Sequence, residues 1–242
     1  MSLAIEAAAG WVDITPDTPI PLCGFSRWKP FEGIDDRMEV NALLLGDGQT
    51  RLAIVSCDLL FIGDELRERV LRSLTTDLGA DCLLLVATHT HYVPMTLREM
   101  PELGPVNDQY LDSVARKIAA LLDSLAGRLR RATLRVCLGS ANHGINRRLL
   151  RWRIWKNGIT HCSEMGPNWS GSRDESVRVL RIEGADGSTI GLLWNYACHP
   201  TGYHREGRIT AEFARGEATQ EKILDAATQF SQPAGQVVEG SG

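Results

Sequence analysis

Apolar positions in the first half of the chain predict four strands before residue 90. Residues 4 to 14 read as a first strand, which the turn-rich segment 15 to 19 closes. Residues 38 to 45 and 51 to 60 flank Gly46-Asp47-Gly48 and are predicted to form a hairpin. The apolar run that begins at Cys82 is about six residues long, which is typical of a strand buried on both faces.

Two amphipathic helices are predicted around this last strand. Leucine or valine stands at 66, 70, 71, 74 and 78, a helical rhythm for which Gly79 would supply the C-cap. A second helix is predicted from about Asp108 to Ala126, with Asn107 as N-cap and Gly127 as stop.

The second half opens with a strand predicted from Ala132 to Gly139. Residues 150 to 173 are rich in tryptophan and glycine, are aperiodic, and are long enough to be an insertion or a lid. Residues 177 to 182 and 190 to 197 form a second predicted hairpin. An alanine-rich stretch, 210 to 228, is predicted to be helical, and 231 to 242 has the composition of a disordered tail.

The order strand, helix, strand, helix, strand predicts an α/β fold in which helices flank mixed β-sheets. A length of 242 residues and a hydrophobic content of 43% suit a globular protein that buries a sizeable core. We therefore expect a single domain over residues 1 to 230, with the tail after it.

Two of the predicted strands end in histidine. If the extended path continues past Ala87, His89 and His91 project to the same side, because side chains alternate along a strand. The second hairpin brings His199 to an equivalent strand end. Ligands of open α/β sheets gather at such ends. The alternative is that these loop histidines only bond to backbone and water.

The three histidines would give zinc three nitrogen ligands and leave a fourth position for water. Zinc lowers the pKa of bound water to about 7 and polarises a carbonyl, so amides and esters can be hydrolysed at neutral pH. Asp58, His204 or Glu212 could complete the ligand set or act as a general base, although each is equally an ordinary capping or surface residue. Two further histidines, at 143 and 161, lie in polar loops and are expected not to be ligands.

Two other enzyme classes with an H-x-H motif do not fit. Metallo-β-lactamases need an aspartate and a further histidine directly after the motif, where this chain has Tyr92, Val93 and Pro94. Amidohydrolase barrels need eight βα repeats, which this chain does not show.

Charge and cysteine content limit the partners and the cellular compartment that the sequence predicts. A net charge of -4 without a long basic stripe argues against a nucleic-acid partner. The cationic cluster Arg147 to Lys156 is either a solvated face with its aromatic residues packed beneath or a site for an anionic group or lipid headgroup.

Six cysteines without a C-x-x-C pair read as buried thiols. Neither a secretory signal nor an apolar run of roughly 18 residues is seen, so a cytoplasmic location and no transmembrane segment are expected.

Six short motifs follow one another over about residues 5 to 215. They are Ala9-Gly10 with Asp13-Ile14-Thr15-Pro16, Gly24-Phe25, Ser56-Cys57-Asp58-Leu59, Ala87-Thr-His-Thr-His91, Gly144-Ile-Asn-Arg147 and Asn195-Tyr-Ala-Cys-His-Pro-Thr201. Together they resemble the N-terminal part of the neutral/alkaline non-lysosomal ceramidase family. The resemblance implies a fold like the ceramidase catalytic domain and a zinc amidase that splits an N-acyl bond, such as that of ceramide, into a fatty acid and an amine.

The resemblance also assigns roles. His89 and His199 correspond to zinc ligands. His91 corresponds to a catalytic histidine close to the metal, and this histidine either transfers protons or contacts the ligands from behind. Asn146 and Arg147 match a segment near the substrate, where the guanidinium could hydrogen-bond a polar head.

The chain departs from the family pattern in two ways. Tyr92-Val93 stands where the family usually has Ser-Gly, and the segment around Glu212 differs from the family's motif there. Family members also run several hundred residues further, and that part carries the remaining metal ligands, a glutamate and a tyrosine. We therefore expect the C-terminal portion of the domain to be missing, and the site to be completed by Glu212, His204, a partner chain or the missing region.

The leading hypothesis is a zinc-dependent hydrolase of the neutral ceramidase type that cleaves the amide bond of a ceramide-like substrate. One alternative is a catalytically incompetent fragment or binding module that keeps the fold. The other is a metal hydrolase that acts on a soluble non-lipid substrate.

Overall fold

A seven-stranded mixed sheet and two helices organise the computed structural model, which describes residues 5–24, 28–79, 82–155, 158–199 and 207–209. The helices are α1 (Asp64–Ser73) and α2 (Asp108–Ala126). The strands are β1 (Glu6–Asp13), β2 (Gly33–Ile34), β3 (Glu39–Gly46), β4 (Arg51–Cys57), β5 (Leu83–Ala87), β6 (Arg130–Ser140), β7 (Asn146–Trp155), β8 (Gly158–Asn168), β9 (Ser176–Gly184), β10 (Thr189–Tyr196) and β11 (Arg208–Ile209). The predicted α/β class is confirmed.

The large sheet has the strand order β10-β9-β6-β1-β3-β4-β5. Strand β3 runs antiparallel to both β1 and β4, as the predicted hairpin around residue 47 requires. Strand β5 pairs with β4 in parallel, from Ala53 opposite Leu83 to Cys57 opposite Ala87, and α1 makes the crossover between them. The carboxyl ends of β4 and β5 therefore lie side by side, and the candidate site residues Asp58 and His89 follow those ends.

Both helices contribute to the core on one side of this sheet. Helix α2 has the predicted bounds: Asn107 accepts a hydrogen bond from the backbone N–H of Tyr110 at 2.9 Å, and Gly127 is the C-cap. Its buried face meets the inward side chains of β3 and β4 in one cluster, which includes Leu111, Val114, Ile118, Leu122, Leu44, Val55 and Cys57. Burying these aliphatic side chains contributes about 1.5 to 3 kcal/mol each.

Helix α1 is shorter than its hydrophobic rhythm predicts. It ends at Ser73 with Leu74 as C-cap, so the predicted cap at Gly79 is wrong. The backbone N–H groups of Thr75 and Thr76 donate to the carboxylate of Asp123 on α2, with a shortest distance of 2.7 Å. Because a side chain from another helix takes these donors, the chain leaves the helical path there.

The segment expected to be an aperiodic insertion or lid is an antiparallel hairpin. Strands β7 and β8 pair from Asn146 opposite Asn168 to Trp155 opposite Gly158. The aromatic side chain of Trp152 within the cationic cluster is exposed, so the expectation that the aromatics pack beneath the arginines is wrong for this residue.

The chain divides into two compact units. The described residues of the first unit are those up to 135, 181–192 and 207–209, and those of the second are 136–180 and 193–199. The first contains α1, α2 and β1 to β5, and the second contains the hairpin β7–β8. The predicted helix at 210 to 228 and the predicted tail at 231 to 242 lie outside the described residues. Within the described residues, no helix combines the length and hydropathy needed to cross a bilayer.

Candidate metal centre

The two motif histidines lie in a turn directly after β5, not on an extension of the strand. Strand β5 ends at Ala87, and His89 has φ +67°, in the left-handed region. The backbone N–H groups of His89 and Thr90 both donate to the carbonyl of Leu59, at 3.0 and 3.2 Å. The expectation of a continuing extended strand is therefore wrong. The loop after β4 holds the turn in place instead.

The ring of His89 is oriented by that same loop. Its Nδ1 lies 3.1 Å from the carbonyl oxygen of Leu60. Because a carbonyl oxygen only accepts hydrogen bonds, this contact places the proton on Nδ1 and leaves the lone pair on Nε2. The ring of Phe61 meets the imidazole edge-on, with centroids 5.4 Å apart. His89 is thus held in the tautomer that a metal ligand needs.

The ring of His91 lies beside that of His89. The two ring centroids are 4.7 Å apart and the rings are nearly perpendicular, at 87°. The backbone of His91 is packed against Gly24, where a Cβ, if present, would come within 2.4 Å of the His91 carbonyl oxygen. The two histidines therefore come together as the sequence predicts, although by a different backbone path.

Asp58 secures the ends of the strands. One of its carboxylate oxygens accepts the backbone N–H of Glu39 at 2.9 Å, and the other accepts the hydroxyl of Thr88 at 3.4 Å. The Thr88 hydroxyl also lies 2.9 Å from that of Thr90. These bonds link the start of β3 and the end of β4 to the histidine turn. Asp58 therefore holds the backbone at the start of β3 next to the histidine turn. Its predicted role as an additional metal ligand or general base stays a prediction.

In the second unit, His199 follows the end of β10, and Tyr196 three residues earlier anchors the loop that follows β6. The Tyr196 hydroxyl accepts backbone N–H groups from His143 and Gly144, at 2.9 and 2.8 Å. It donates to the carbonyl of Ala141 at 3.1 Å. Tyr196 was not among the residues predicted from the sequence. Its presence between a strand and the motif histidine was the available signal.

The same anchored loop leads into Asn146 and Arg147. The side-chain amide of Asn146 donates to the carbonyl of Ser172 at 2.7 Å, and its oxygen accepts the N–H of Arg148 at 2.8 Å. Asn146 therefore shapes the start of β7. The register of β7 against β8 shifts between Asn146 and Arg148, so Arg147 lies at a bulge, a feature that re-aims side chains.

His89 and His91 of the first unit and His199 of the second each offer one imidazole nitrogen that could bind a metal ion. All three are half-buried. His204 and Glu212, the other predicted contributors, lie outside the described residues.

Comparison with known proteins identifies the family. The family model described as "Neutral/alkaline non-lysosomal ceramidase, N-terminal" matches residues 6–232. The chain belongs to this family. Ceramidases of this family are generally metal-dependent, which agrees with the histidine group at the ends of the strands.

Solved ceramidase structures show the same fold. The neutral ceramidase from Pseudomonas aeruginosa matches with a TM-score of 0.70 and 18% identity, over 100% of this chain and 41% of that one. A ceramidase complexed with C2 matches with a TM-score of 0.61 and 21% identity, over 83% of this chain and 32% of that one. The chain thus spans less than half the length of either ceramidase.

Proposed function

We propose that the chain carries the histidine part of a zinc-dependent hydrolase site that cleaves the N-acyl amide bond of a ceramide-like lipid. Membership of the ceramidase family supports the reaction class. The observation that carries the proposal is the hydrogen bond from Nδ1 of His89 to the carbonyl of Leu60. Histidines that bind metals almost always donate their other ring N–H to such a partner.

The residues suit zinc by their chemistry. Neutral imidazole nitrogen is a preferred zinc ligand, and catalytic zinc sites use three protein ligands and leave one position open. Zinc bound there would supply Lewis-acid polarisation of the amide carbonyl and an acidified water. In this proposal His89 and His199 are two of the ligands. Phe61, in edge contact with His89, keeps one side of that ring apolar.

The other predicted residues act on the substrate. His91 lies perpendicular to His89 and in contact with it, which suits a residue that accepts or delivers a proton at the amide. Arg147 is the proposed donor to the polar head of the substrate, since a guanidinium offers several N–H groups in one plane. The bulge at the start of β7 sets the direction of its side chain.

Zinc content is the first test. We expect wild-type protein, purified without a chelating tag, to hold roughly one zinc per chain. The double variant His89→Ala, His199→Ala should lose most of it. His161→Ala is the matched control, because His161 is exposed and stacks on Trp152 in the hairpin, with centroids 4.5 Å apart. Equal and negligible zinc in wild type and double variant would overturn the metal site.

A binding module without turnover is the second candidate function. It is favoured by Tyr92-Val93, which stands directly after the histidine motif where the family usually has Ser-Gly. Hydrolysis of a fluorogenic N-acyl substrate, abolished by chelator and by His91→Asn with zinc retained, would establish the enzyme. Zinc binding without any hydrolysis would establish the module.

A further inference from the structure

We propose that the hairpin β7–β8 docks on lipid bilayers. Its tip, which is the end that carries the Ile154–Ile159 pair, inserts into the surface of an anionic membrane. Binding to a bilayer requires neither zinc nor hydrolysis. This inference therefore stands or falls separately from the proposed function, although a lipid amide substrate would give it a purpose.

One face of the hairpin carries five large apolar side chains that are open to solvent, and Arg148, His161 and Ser163 share that face. Side chains alternate along both strands, so Leu150, Trp152 and Ile154 share a face with Ile159 and Met165 of the partner strand. These five large side chains are all exposed, and exposure rises to 84% at Ile154 beside the turn. A contiguous exposed apolar patch marks an interaction surface.

The hairpin is also cationic within an acidic protein. Strand β7 contains four arginines, whereas the only carboxylate of the two strands is Glu164. Arg151 and Arg153 share that carboxylate on the opposite face from Trp152. The whole chain has a net charge of -4. The hairpin therefore has a local excess of positive charge that complements an anionic lipid surface, at about 1 kcal/mol per basic residue near the headgroups.

The order of residues along the hairpin favours insertion by the tip. Ile154 pairs with Ile159 next to the turn, Trp152 pairs with His161 two residues further back, and Arg148 pairs with Met165 near the base. At about 3.3 Å per residue, insertion through the Trp152 pair buries about 7 to 10 Å of hairpin. That is the depth to which interfacial elements enter the boundary between headgroups and acyl chains.

At this depth the charged side chains reach the headgroups. Arg151 and Arg153 lie beside Trp152 in the strand, and their long side chains can extend to the phosphates while the apolar stems stay buried. Tryptophan is itself favoured at membrane interfaces. A bilayer therefore accounts for both the exposed Ile154–Ile159 pair and the arginines next to it.

Cosedimentation with vesicles tests the proposal. The full chain should bind vesicles of phosphatidylcholine and phosphatidylserine several-fold better than pure phosphatidylcholine, and binding should weaken with salt. The variant Ile154→Ser, Ile159→Ser should bind at least about tenfold more weakly, because two exposed apolar side chains no longer enter the bilayer. Arg151→Gln, Arg153→Gln should reduce the preference for phosphatidylserine.

Met165→Ser is the matched control. Met165 is 80% exposed on the same face but lies near the base of the hairpin, so tip insertion predicts less than about a twofold change. His89→Ala, His199→Ala should bind vesicles like wild type, which separates docking from the metal site. Circular dichroism checks the fold of each variant.

Two outcomes would overturn the proposal. Equal vesicle binding by wild type and the folded tip variant would exclude insertion of the tip. An equally large loss for Met165→Ser would show that the whole face is covered, as expected when another protein layer packs on it instead of a bilayer.

Discussion

At the scale of single residues, Gly24 determines how closely the chain can approach the histidine turn. Its φ is +75°, and a Cβ at this position would come within 2.4 Å of the carbonyl oxygen of His91. Cys23, the preceding residue, donates its backbone N–H to the carbonyl of Val93 at 2.8 Å. The Cys23–Gly24 segment therefore lies against the backbone of His91 and is hydrogen-bonded at Val93, and only glycine fits the contact at His91.

Gly24→Ala should lower the free energy of unfolding and weaken zinc binding together. The left-handed backbone costs a side chain about 1 to 2 kcal/mol, and the clash with backbone adds about 1 to 3 kcal/mol. Chemical denaturation measures the first effect and zinc titration the second. Displacement of His91 and its neighbour His89 is the physical reason for the loss of affinity.

Gly48→Ala provides the matched control for this prediction. Gly48 has φ +88° in the turn between β3 and β4, and a Cβ added there would have no other atom within 4 Å. It should therefore show the backbone cost alone, with zinc affinity unchanged. Equal effects of the two substitutions on zinc affinity would contradict the role assigned to the Gly24 contact.

At the scale of elements, a network of ion pairs joins α1 to α2. The guanidinium of Arg69 donates to Glu65 of α1 and to two residues of α2, Asp108 at 2.8 Å and Asp112 at 2.6 Å. Arg98 also donates to Glu65, at 2.7 Å, and to Asp108. Hydrogen bonds from Arg98 and Arg69 lower the pKa of Glu65, and those from Arg69 chiefly lower the pKa of Asp108.

Arg69→Met should destabilise the protein at neutral pH in a way that disappears in acid. Carboxyl pKa values that are lower in the folded state contribute stability above the unfolded values, about 3.9 to 4.3, and lose it as pH falls further. We expect a loss of about 1 kcal/mol at pH 7, because solvent screens the exposed carboxylates. Urea denaturation from about pH 7 to pH 3 measures the difference from wild type.

Arg72→Met is the control on the same helix. Arg72 meets Glu68 at 3.7 Å and both side chains are exposed, so its replacement should change stability little at any pH. A loss for Arg69→Met that stays constant down to about pH 3 would show that packing of the arginine stem, and not its charge, is what matters.

The elements differ in how far local sequence determines them. Asn107 and Gly127 bound α2 through contacts within a turn of the helix, so the sequence predicted both ends. The end of α1 depends on Asp123, which is 47 residues away from Thr76 in the chain. Leu74 and Leu78 lie beyond the end of α1. They fit the helical spacing of apolar residues because their side chains still pack against the core.

The hairpin β7–β8 and the histidine site show two other limits to predicting structure from sequence. Leu150, Trp152 and Ile154 alternate with arginines, and this period of two is a strand signal within a segment that is aperiodic as a whole. At the site, the residue types and strand ends predicted His89 and His91. The left-handed turn at His89 and the acceptor at Leu60 depend on how β4 and β5 lie side by side.

At the scale of the first unit, the helices cover one face of the sheet and leave apolar side chains on the other. Leu83 of β5 lies in the core, whereas Leu84 and Val86 are exposed. Leu84 pairs with Ile54 of β4, which extends the apolar strip across two strands. Strand β5 is also the end strand of the sheet in the described chain, so it offers an edge for pairing.

These features predict that the isolated chain associates with itself as its concentration rises. Exposed apolar strips next to an open sheet edge favour association. Leu84→Thr, Val86→Thr should shift the association several-fold towards monomer in sedimentation velocity, because threonine keeps the strand preference while removing apolar area.

Ile154→Thr, Ile159→Thr supplies the comparison that separates the apolar surface at β5 from the one on the hairpin. These residues are also exposed but lie in the hairpin, where a bilayer is the proposed partner. Their replacement should leave association of the isolated chain nearly unchanged and reduce vesicle binding, the reverse of the effect expected at β5. If the hairpin variant alone abolished association, the contact between chains would lie on β7–β8, and the sheet face would not be the surface that drives it.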